Sequence, residues 1–257
     1  MTFVRTLLIY KWARNADDAL VLGDGSLDWR NAKMSAGEDD PVALAAAVGI
    51  AESSGGEAIG LTIGDGDASW ALARGVGQSF TVPDAPPLTD NAATATILAA
   101  AVRQLPPVDV ILVGDSKQDA GVAVALAGLL GWPAMVGLIT AFIEDAQLLG
   151  LRRVGAQMVR LKVPTPVVLG IAAEGEDARV PGMKELLAAR KRPVTTIPLS
   201  DLNVETADPA VVGHRQAAHT TARLFDGTPD EAAAKLLAAL KAEGVLQAPA
   251  GTQEARH

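Results

Sequence analysis

Residues Gly114 to Ala123, GDSKQDAGVA, set a hydroxyl, an ammonium and two carboxylates in a loop. The loop follows the apolar run VDVILV and leads into the small-residue helix pattern AGVAVALAGLLG. A loop between the carboxyl end of a parallel strand and the start of a helix is where open α/β sheets bind ligands. The first N–H groups of such a helix, around Ala120 to Ala123, have no partner within it, and the dipole places about half a positive charge there. Ala120, Gly121 and Ala123 keep bulk away from a ligand, while Ser116 and Lys117 offer a donor and a cation. The chemistry indicated is capture of a phosphoryl group. Asp115 and Asp119 oppose it by repelling an anion, and Asp119 equally suits a helix cap that needs no ligand.

Other candidate motifs carry less. GLTIGDGDASWALARG has a strand, Gly64-Asp65-Gly66 and a helix, but lacks the third glycine of a dinucleotide fingerprint, so a dehydrogenase is not supported and a tight strand-to-helix turn accounts for the residues. Lys117 stands in GDSKQDAG, without the glycine spacing of a Walker loop. His214 and His219 have neither the spacing of a zinc helix nor a glutamate beside them, and read as exposed histidines of an arm. No Gly-x-Ser-x-Gly elbow occurs, GDGSLD reads as a polar hairpin turn, and no carboxylate pair stands out as acid and base. We therefore assign no catalytic residue and no metal ligand. Arg190, Lys191 and Arg192 read as cations closing the helix GMKELLAARKR, and Met183, after the charged loop EGEDARVPG, suits an adaptable contact with a partner.

The elements that would hold the loop follow from the pattern of the chain. Apolar, β-rich runs such as VRTLLIYKW, AIGLTIG, SFTVP and VDVILVG alternate with helical stretches, which implies parallel strands joined by crossover helices in a layered α/β domain. AIGLTIG and VDVILVG are nearly continuous in apolar residues, as expected where helices cover both faces of a sheet. After Pro133, the runs MVGLITAFIE, AQLLGLRRVG, AQMVRLKV and TPVVLGIAAE follow one another too closely for helices, and read as antiparallel hairpins appended to the sheet. We expect an α/β domain over residues 1–200 and, over 201–257, a polar arm, a docking helix and a disordered tail from Ala248. Thr228-Pro229-Asp230-Glu231 has the form of a capping box, and Ala233, Leu236, Leu237 and Leu240 then share one face of a helix.

Bulk properties exclude several classes. The 257 residues contain no cysteine, which removes disulfides, thiolate catalysis and Cys-based zinc sites and fits a reducing compartment. A net charge of −8 argues against non-specific nucleic-acid binding, which needs clustered Lys and Arg. The opening MTFVRTLLIYKWARNADD reads as a first strand without a cleavage site, so a cytoplasmic location is expected. Ala120 to Ile143 is uncharged and long enough to span a bilayer, but Gly131-Trp132-Pro133 divides it, and a buried helix followed by a buried strand is expected instead of membrane insertion.

Three segments together resemble the β subunit of an electron-transfer flavoprotein: RVPGMKELLAARKRPVTTIPLSDL, GDSKQDAGVAVALAGLLGWP and TPDEAAAKLLAALKAEGVL, supported by TLLIYKWARNADD and VRLKVPTPVVLGI. Their order covers nearly the whole chain to Leu246. The resemblance implies a three-layer αβα, Rossmann-like fold of the adenine-nucleotide-hydrolase kind. It implies a heterodimer whose α subunit holds most of the FAD, with AMP, or a second FAD in electron-bifurcating members, bound by this chain. By position the nucleotide would touch Ile9, Ile63 and Gly64, and the stretch Gly114, Asp115, Ser116, Lys117, Asp119, Ala120, Gly121, Val122 and Ala123. Met183, with Leu186 and Leu187, would dock a dehydrogenase or quinone oxidoreductase. The chain departs from the family at SAGEDDPV, where an Asn-Pro turn is usual, in its shorter nucleotide loop, and at Ala123, where glycine is common. A stand-alone adenine-nucleotide-binding module of the stress-protein or adenylating type shares the layered fold and is the second reading.

Overall fold

Strands with both faces apolar and Ala-rich crossover helices build the body of the protein. The computed structural model describes residues 3–86, 90–115, 121–172, 179–205 and 222–245. From the N-terminus come β1 (Arg5–Ile9), β2 (Trp12–Arg14), β3 (Leu20–Val21), β4 (Leu27–Asp28), β5 (Met34–Ala36), α1 (Asp40–Ser54), β6 (Glu57–Ile63), α2 (Ala68–Leu72) and β7 (Gln78–Val82). Then follow α3 (Asn91–Val102), β8 (Val110–Gly114), α4 (Val122–Leu130), β9 (Ala134–Leu138), β10 (Thr140–Glu144), β11 (Gln147–Val154), β12 (Gln157–Lys162), β13 (Val167–Ile171), α5 (Met183–Ala189), β14 (Thr195–Thr196) and α6 (Pro229–Ala242). The chain forms two compact units, Met1–Arg215 and Gln216–His257.

In the first unit seven strands pair in the order β14-β7-β6-β1-β8-β13-β9, every pairing parallel. Alternation along each strand feeds two cores. Leu8, Leu112 and Leu169 pack with α1 and α2 on one face, while Leu7, Ile9, Ile59, Leu61 and Ile111 pack with α3 and α4 on the other. This is the three-layer α/β fold expected from the alternating runs. Thr6, buried within β1, satisfies its hydroxyl by donating to the carbonyl of Ala47 in α1 at 2.9 Å.

The segment after Pro133 departs from the expected series of hairpins. Gly131 ends α4 and β9 begins at Ala134, so proline punctuates the apolar stretch as anticipated, and no described helix is long and apolar enough to cross a membrane. However, β9 and β13 join the main sheet in parallel, and only β10, β11 and β12 form antiparallel hairpins, as a separate three-stranded sheet. The basic cluster is also corrected. Helix α5 stops at Ala189, before Arg190, Lys191 and Arg192, and the Arg192 guanidinium donates to the carbonyls of Leu72 at 3.2 Å and Val76 at 3.0 Å, and to that of Gly77. It satisfies carbonyls at and beyond the end of α2, which no sequence period could indicate.

In the second unit, Thr228 opens α6. Its N–H donates to Glu231 at 2.9 Å and its hydroxyl accepts from the Glu231 N–H at 3.4 Å, the reciprocal capping expected there. Leu236 and Leu237 are about half exposed on this helix. His214, His219 and the tail from Ala248 lie outside the described residues.

Candidate functional site

Strand β1 lies between β6 and β8, and the chain leaves these strands toward opposite sides of the sheet. Such a reversal opens a crevice at the carboxyl ends of the strands. Here it is a cavity of about 650 Å³ floored by Ile9, Ile63, Val113 and Gly114. One wall is the ribbon of β2 and β5, carrying Trp12, Arg14 and Met34, with Trp29 from the adjoining loop. The start of α1, at Asp39 and Asp40, forms a second wall, and Thr94, Leu98 and Val122 a third. Gly114 is required by close approach. A Cβ there would lie 2.6 Å from a carboxylate oxygen of Asp40 and 3.0 Å from its backbone nitrogen.

Aromatic side chains stiffen the ribbon wall. Tyr10 is buried, donates its hydroxyl to the Asp67 carbonyl at 3.3 Å, and meets Trp70 with ring centroids 5.1 Å apart. Trp70 in turn stands 6.5 Å from Trp12. Burial pushes the Tyr10 phenol well above its ordinary range. Arg14 holds the loop behind the wall by donating to the carbonyls of Trp29 at 2.8 Å and Ala32 at 3.2 Å.

The helix starts around the sheet are not alike in charge. At α1 the buried Asp40 carboxylate accepts the N–H groups of Lys11 at 2.8 Å and Gly37 at 2.9 Å. At α2, Asp67 accepts from Ser69 at 2.9 Å, and at α3, Asp90 accepts from Ala93 at 2.7 Å. Helix α4 begins on Gly121, with φ at 101°, no side-chain cap and no acid in its first turn. That backbone angle favours glycine. The α4 start is thus the one of these four where, among the described residues, neither the cap residue nor the first turn carries a carboxylate, so an anion would meet the helix dipole without that repulsion.

Of the residues singled out by sequence, the cavity brings together Ile9, Ile63, Gly64, Gly114 and Val122. Asp115 uses its carboxylate elsewhere, accepting the Gly137 N–H of β9 at 2.8 Å, and its own N–H donates to Ile171 at 2.7 Å. Gly121 caps α4, and Ala123 is buried in the core beneath it. Ser116, Lys117, Asp119 and Ala120 lie outside the described residues. Met183 is 72% exposed and Leu187 53%, whereas Leu186 packs against the core. Sequence reasoning missed Trp12, Trp29 and Met34, and placed SAGEDDPV, with Asp39 and Asp40, at the pocket without giving either acid a role. The available signal was length: ~30 residues separate β1 from α1 where a βα loop ordinarily takes about 2–6.

A family model described as "Electron transfer flavoprotein domain" matches residues 30–202, from the cavity wall through the end of the parallel sheet. The chain belongs to the electron transfer flavoprotein domain family. Its relatives include the electron transfer flavoprotein subunit beta of Mycobacterium leprae, 28% identical over 120 residues, which are 46% of this chain and 45% of the relative. The subunits beta of Mycobacterium bovis and Mycobacterium tuberculosis are each 26% identical over 121 residues, 46% of both sequences. The match to these relatives spans about half of their length. The family match includes Ile63, Gly64, Gly114 and Val122 of the cavity lining, and Met183 and Leu187 of the exposed segment.

Proposed function

We propose that this electron transfer flavoprotein domain protein acts as a β-type electron-carrier subunit. It makes and breaks no bonds itself, binds an adenine nucleotide in the β1/β6/β8 crevice, and pairs with an α subunit that holds most of an FAD. The observation that carries the reading is the contrast in charge at that crevice: α1 starts on a buried carboxylate, while α4 starts on an uncapped glycine beside the same cavity.

The residues fit such a ligand. About 650 Å³ lies within the ordinary range of a ligand pocket, roughly 300–1,000 Å³. Trp12, Trp29 and Met34 offer apolar and aromatic surface to a base or ring, Ile63 and Gly64 bring backbone to the floor, and the first turn of α4 suits a phosphate. The occupant is AMP, or a second FAD if the pair bifurcates electrons. A flavin, when bound, supplies the storage of electrons, and the chain's contribution is to orient it, exclude water and set its surroundings. Electrons would enter from a dehydrogenase and leave to an acceptor such as a quinone oxidoreductase. Val180, Met183 and Leu187, at 86%, 72% and 53% exposure, form the apolar surface proposed to meet one of them.

Co-expression with an electron transfer flavoprotein α subunit from the same genome tests this. The expected product is a one-to-one complex with flavin absorbance, from which denaturation releases AMP or FAD identifiable by mass spectrometry. A pure, stable pair without flavin absorbance overturns the reading. A nucleotide-loaded homodimer of this chain alone would favour the stand-alone adenine-nucleotide-binding module.

A further inference from the structure

Aromatic residues are scarce in this chain and unevenly placed. Of its four tryptophans and one tyrosine, Trp12, Trp29 and Tyr10 line the cavity, and Trp70 stands 6.5 Å from Trp12 without lining it. Trp12 and Trp29 belong to neither core and stay partly exposed, so filling the interior does not account for them. On the ribbon Trp12 pairs across the strands with Ala36, and Arg14 with Met34. Trp12 therefore shares a face with Arg14 and Met34, both of which line the cavity. The small side chain of Ala36 opposite leaves room beside the indole.

That indole is held in place. Trp70 meets it at an interplanar angle of 54° and is itself fixed by the Tyr10 ring, at 38°. Arg74 completes the brace, with its guanidinium 5.0 Å from the centre of the Trp70 ring and a hydrogen bond donated to the Trp70 carbonyl at 2.9 Å. A side chain ordered before a ligand arrives loses little entropy on binding it. The phosphate side of the cavity is poorer. Val122, Ala123 and Val124 give the first turn of α4 no side-chain hydroxyl, amide or cation. Among the described residues the lining carries three carboxylates, on Asp39, Asp40 and Asp65, against two cations, Lys11 and Arg14, and Arg14 already donates to carbonyls of the wall. A charge at an exposed helix start shifts an equilibrium by about two- to fivefold. An aromatic side chain stacked on a base shifts it by about five- to a hundredfold.

We propose that Trp12 stacks on the planar heteroaromatic ring of the nucleotide, and that this ring, more than its phosphate, sets affinity in the β1/β6/β8 cavity. The inference rests on the nucleotide site under Proposed function and names the part of the ligand which that site reads. Adenine and isoalloxazine share the chemistry required, a flat π face that an indole can cover. A wall that only braced the fold would need bulk at position 12 but no ring, whereas stacking needs the ring.

The test titrates the full chain, cleared of bound nucleotide, with AMP, adenosine, riboflavin and ribose 5-phosphate, following the heat of binding and the tryptophan emission. Adenosine should bind within about tenfold of AMP, and ribose 5-phosphate about a hundredfold more weakly than AMP. Riboflavin bound in adenosine's place would make the ring that of a flavin and support the proposal equally. Trp12→Leu, which keeps bulk, should weaken the ring-bearing ligands about tenfold or more and leave ribose 5-phosphate unchanged. Trp12→Phe, which keeps a ring, should recover most of that loss, while the quenching of tryptophan emission by the ligand falls because the indole beneath it is gone. Ribose 5-phosphate binding as tightly as AMP overturns the proposal and leaves the proposed function standing. So does equal binding of AMP by wild type and both variants, or an equal loss in both, which would make Trp12 a brace of the wall. Failure of wild type to bind any of the four compounds removes the proposed nucleotide site, and the inference with it.

Discussion

Helix α1 and helix α4 begin at the same edge of the sheet, and both contribute to one cavity, but they differ in the charge carried by the first turn. At α1 a buried carboxylate is committed inward. Asp40 joins the N–H of Lys11, just past β1, to that of Gly37, and lies against the backbone of Gly114 at the end of β8. At α4 the helix opens on glycine, and among the described residues no side chain closes it. The difference teaches that a helix start serves the fold when its charge is satisfied within the chain, and is left available to a ligand when it is not. On this view changes at α1 should act on stability, and changes at α4 on binding.

The largest expected effect comes from filling the contact between the two. Gly114→Val places carbon where the Asp40 carboxylate and backbone already stand, and backbone cannot step aside. A loss of about 3 kcal/mol is expected, seen as a melting temperature lower by roughly 5–10 °C. An unchanged melt would mean that the α1 start is not the rigid partner described. Asp40→Ala should follow, at about 2 kcal/mol, because it removes the acceptor that the Lys11 and Gly37 amides share. Asp40→Asn, which keeps one acceptor oxygen, should recover part of that loss. The opposite behaviour is expected at α4. Val124 is 51% exposed in the first turn, and Val124→Glu supplies the acid that the turn lacks. It should stabilise the ligand-free chain by about 0.5 kcal/mol while weakening retention of a nucleotide, as measured by thermal shift with and without added AMP. Stabilisation of both states alike would break the comparison.

The part of the cavity at the strand ends and the α4 start was legible in the sequence, and the ribbon wall was not. Ile9, Ile63, Gly64, Gly114 and Val122 stand at or beside the ends of apolar runs, and in parallel strands those ends gather along one edge. Trp12 and Met34 sit on strands of three residues, too short to carry a period, and Trp29 sits on a loop. Asp40 looks like an ordinary first-turn acid, and only its burial against Gly114 reveals a structural tie. The hairpin reading after Pro133 held for β10, β11 and β12 and missed the parallel pairing of β9 and β13 for a related reason. β9 and β10 are separated only by Ile139, and alternation does not say which neighbour a strand will pair with. Asp115, counted with the nucleotide loop by position, is drawn to the Gly137 amide of β9.

Helix α5 offers a third kind of start, and with it the smallest expected effect. It too opens on a glycine, but here Glu185 folds back to accept the Gly182 N–H at 2.7 Å while pairing with Arg179 at 2.6 Å. The hydrogen bond from Arg179, helped by that of Gly182, lowers the Glu185 carboxyl from its ordinary 4.5 to about 2. A carboxylate whose folded value lies below its unfolded one stabilises fully above the unfolded value, and the benefit is lost as pH falls toward the folded one. The segment bearing Met183 should therefore stay ordered above pH 4.5 and loosen progressively between 4.5 and about 2. Because Glu185 is exposed, global unfolding should barely register the change. The measurement is amide exchange at Gly182 to Leu186 as a function of pH, corrected for intrinsic rates. Wild type should lose protection through that window and Glu185→Gln should show low protection throughout. Equal pH profiles for the two would mean that the glycine start of α5 is as open as that of α4, and that an acid three residues into a helix does not close it.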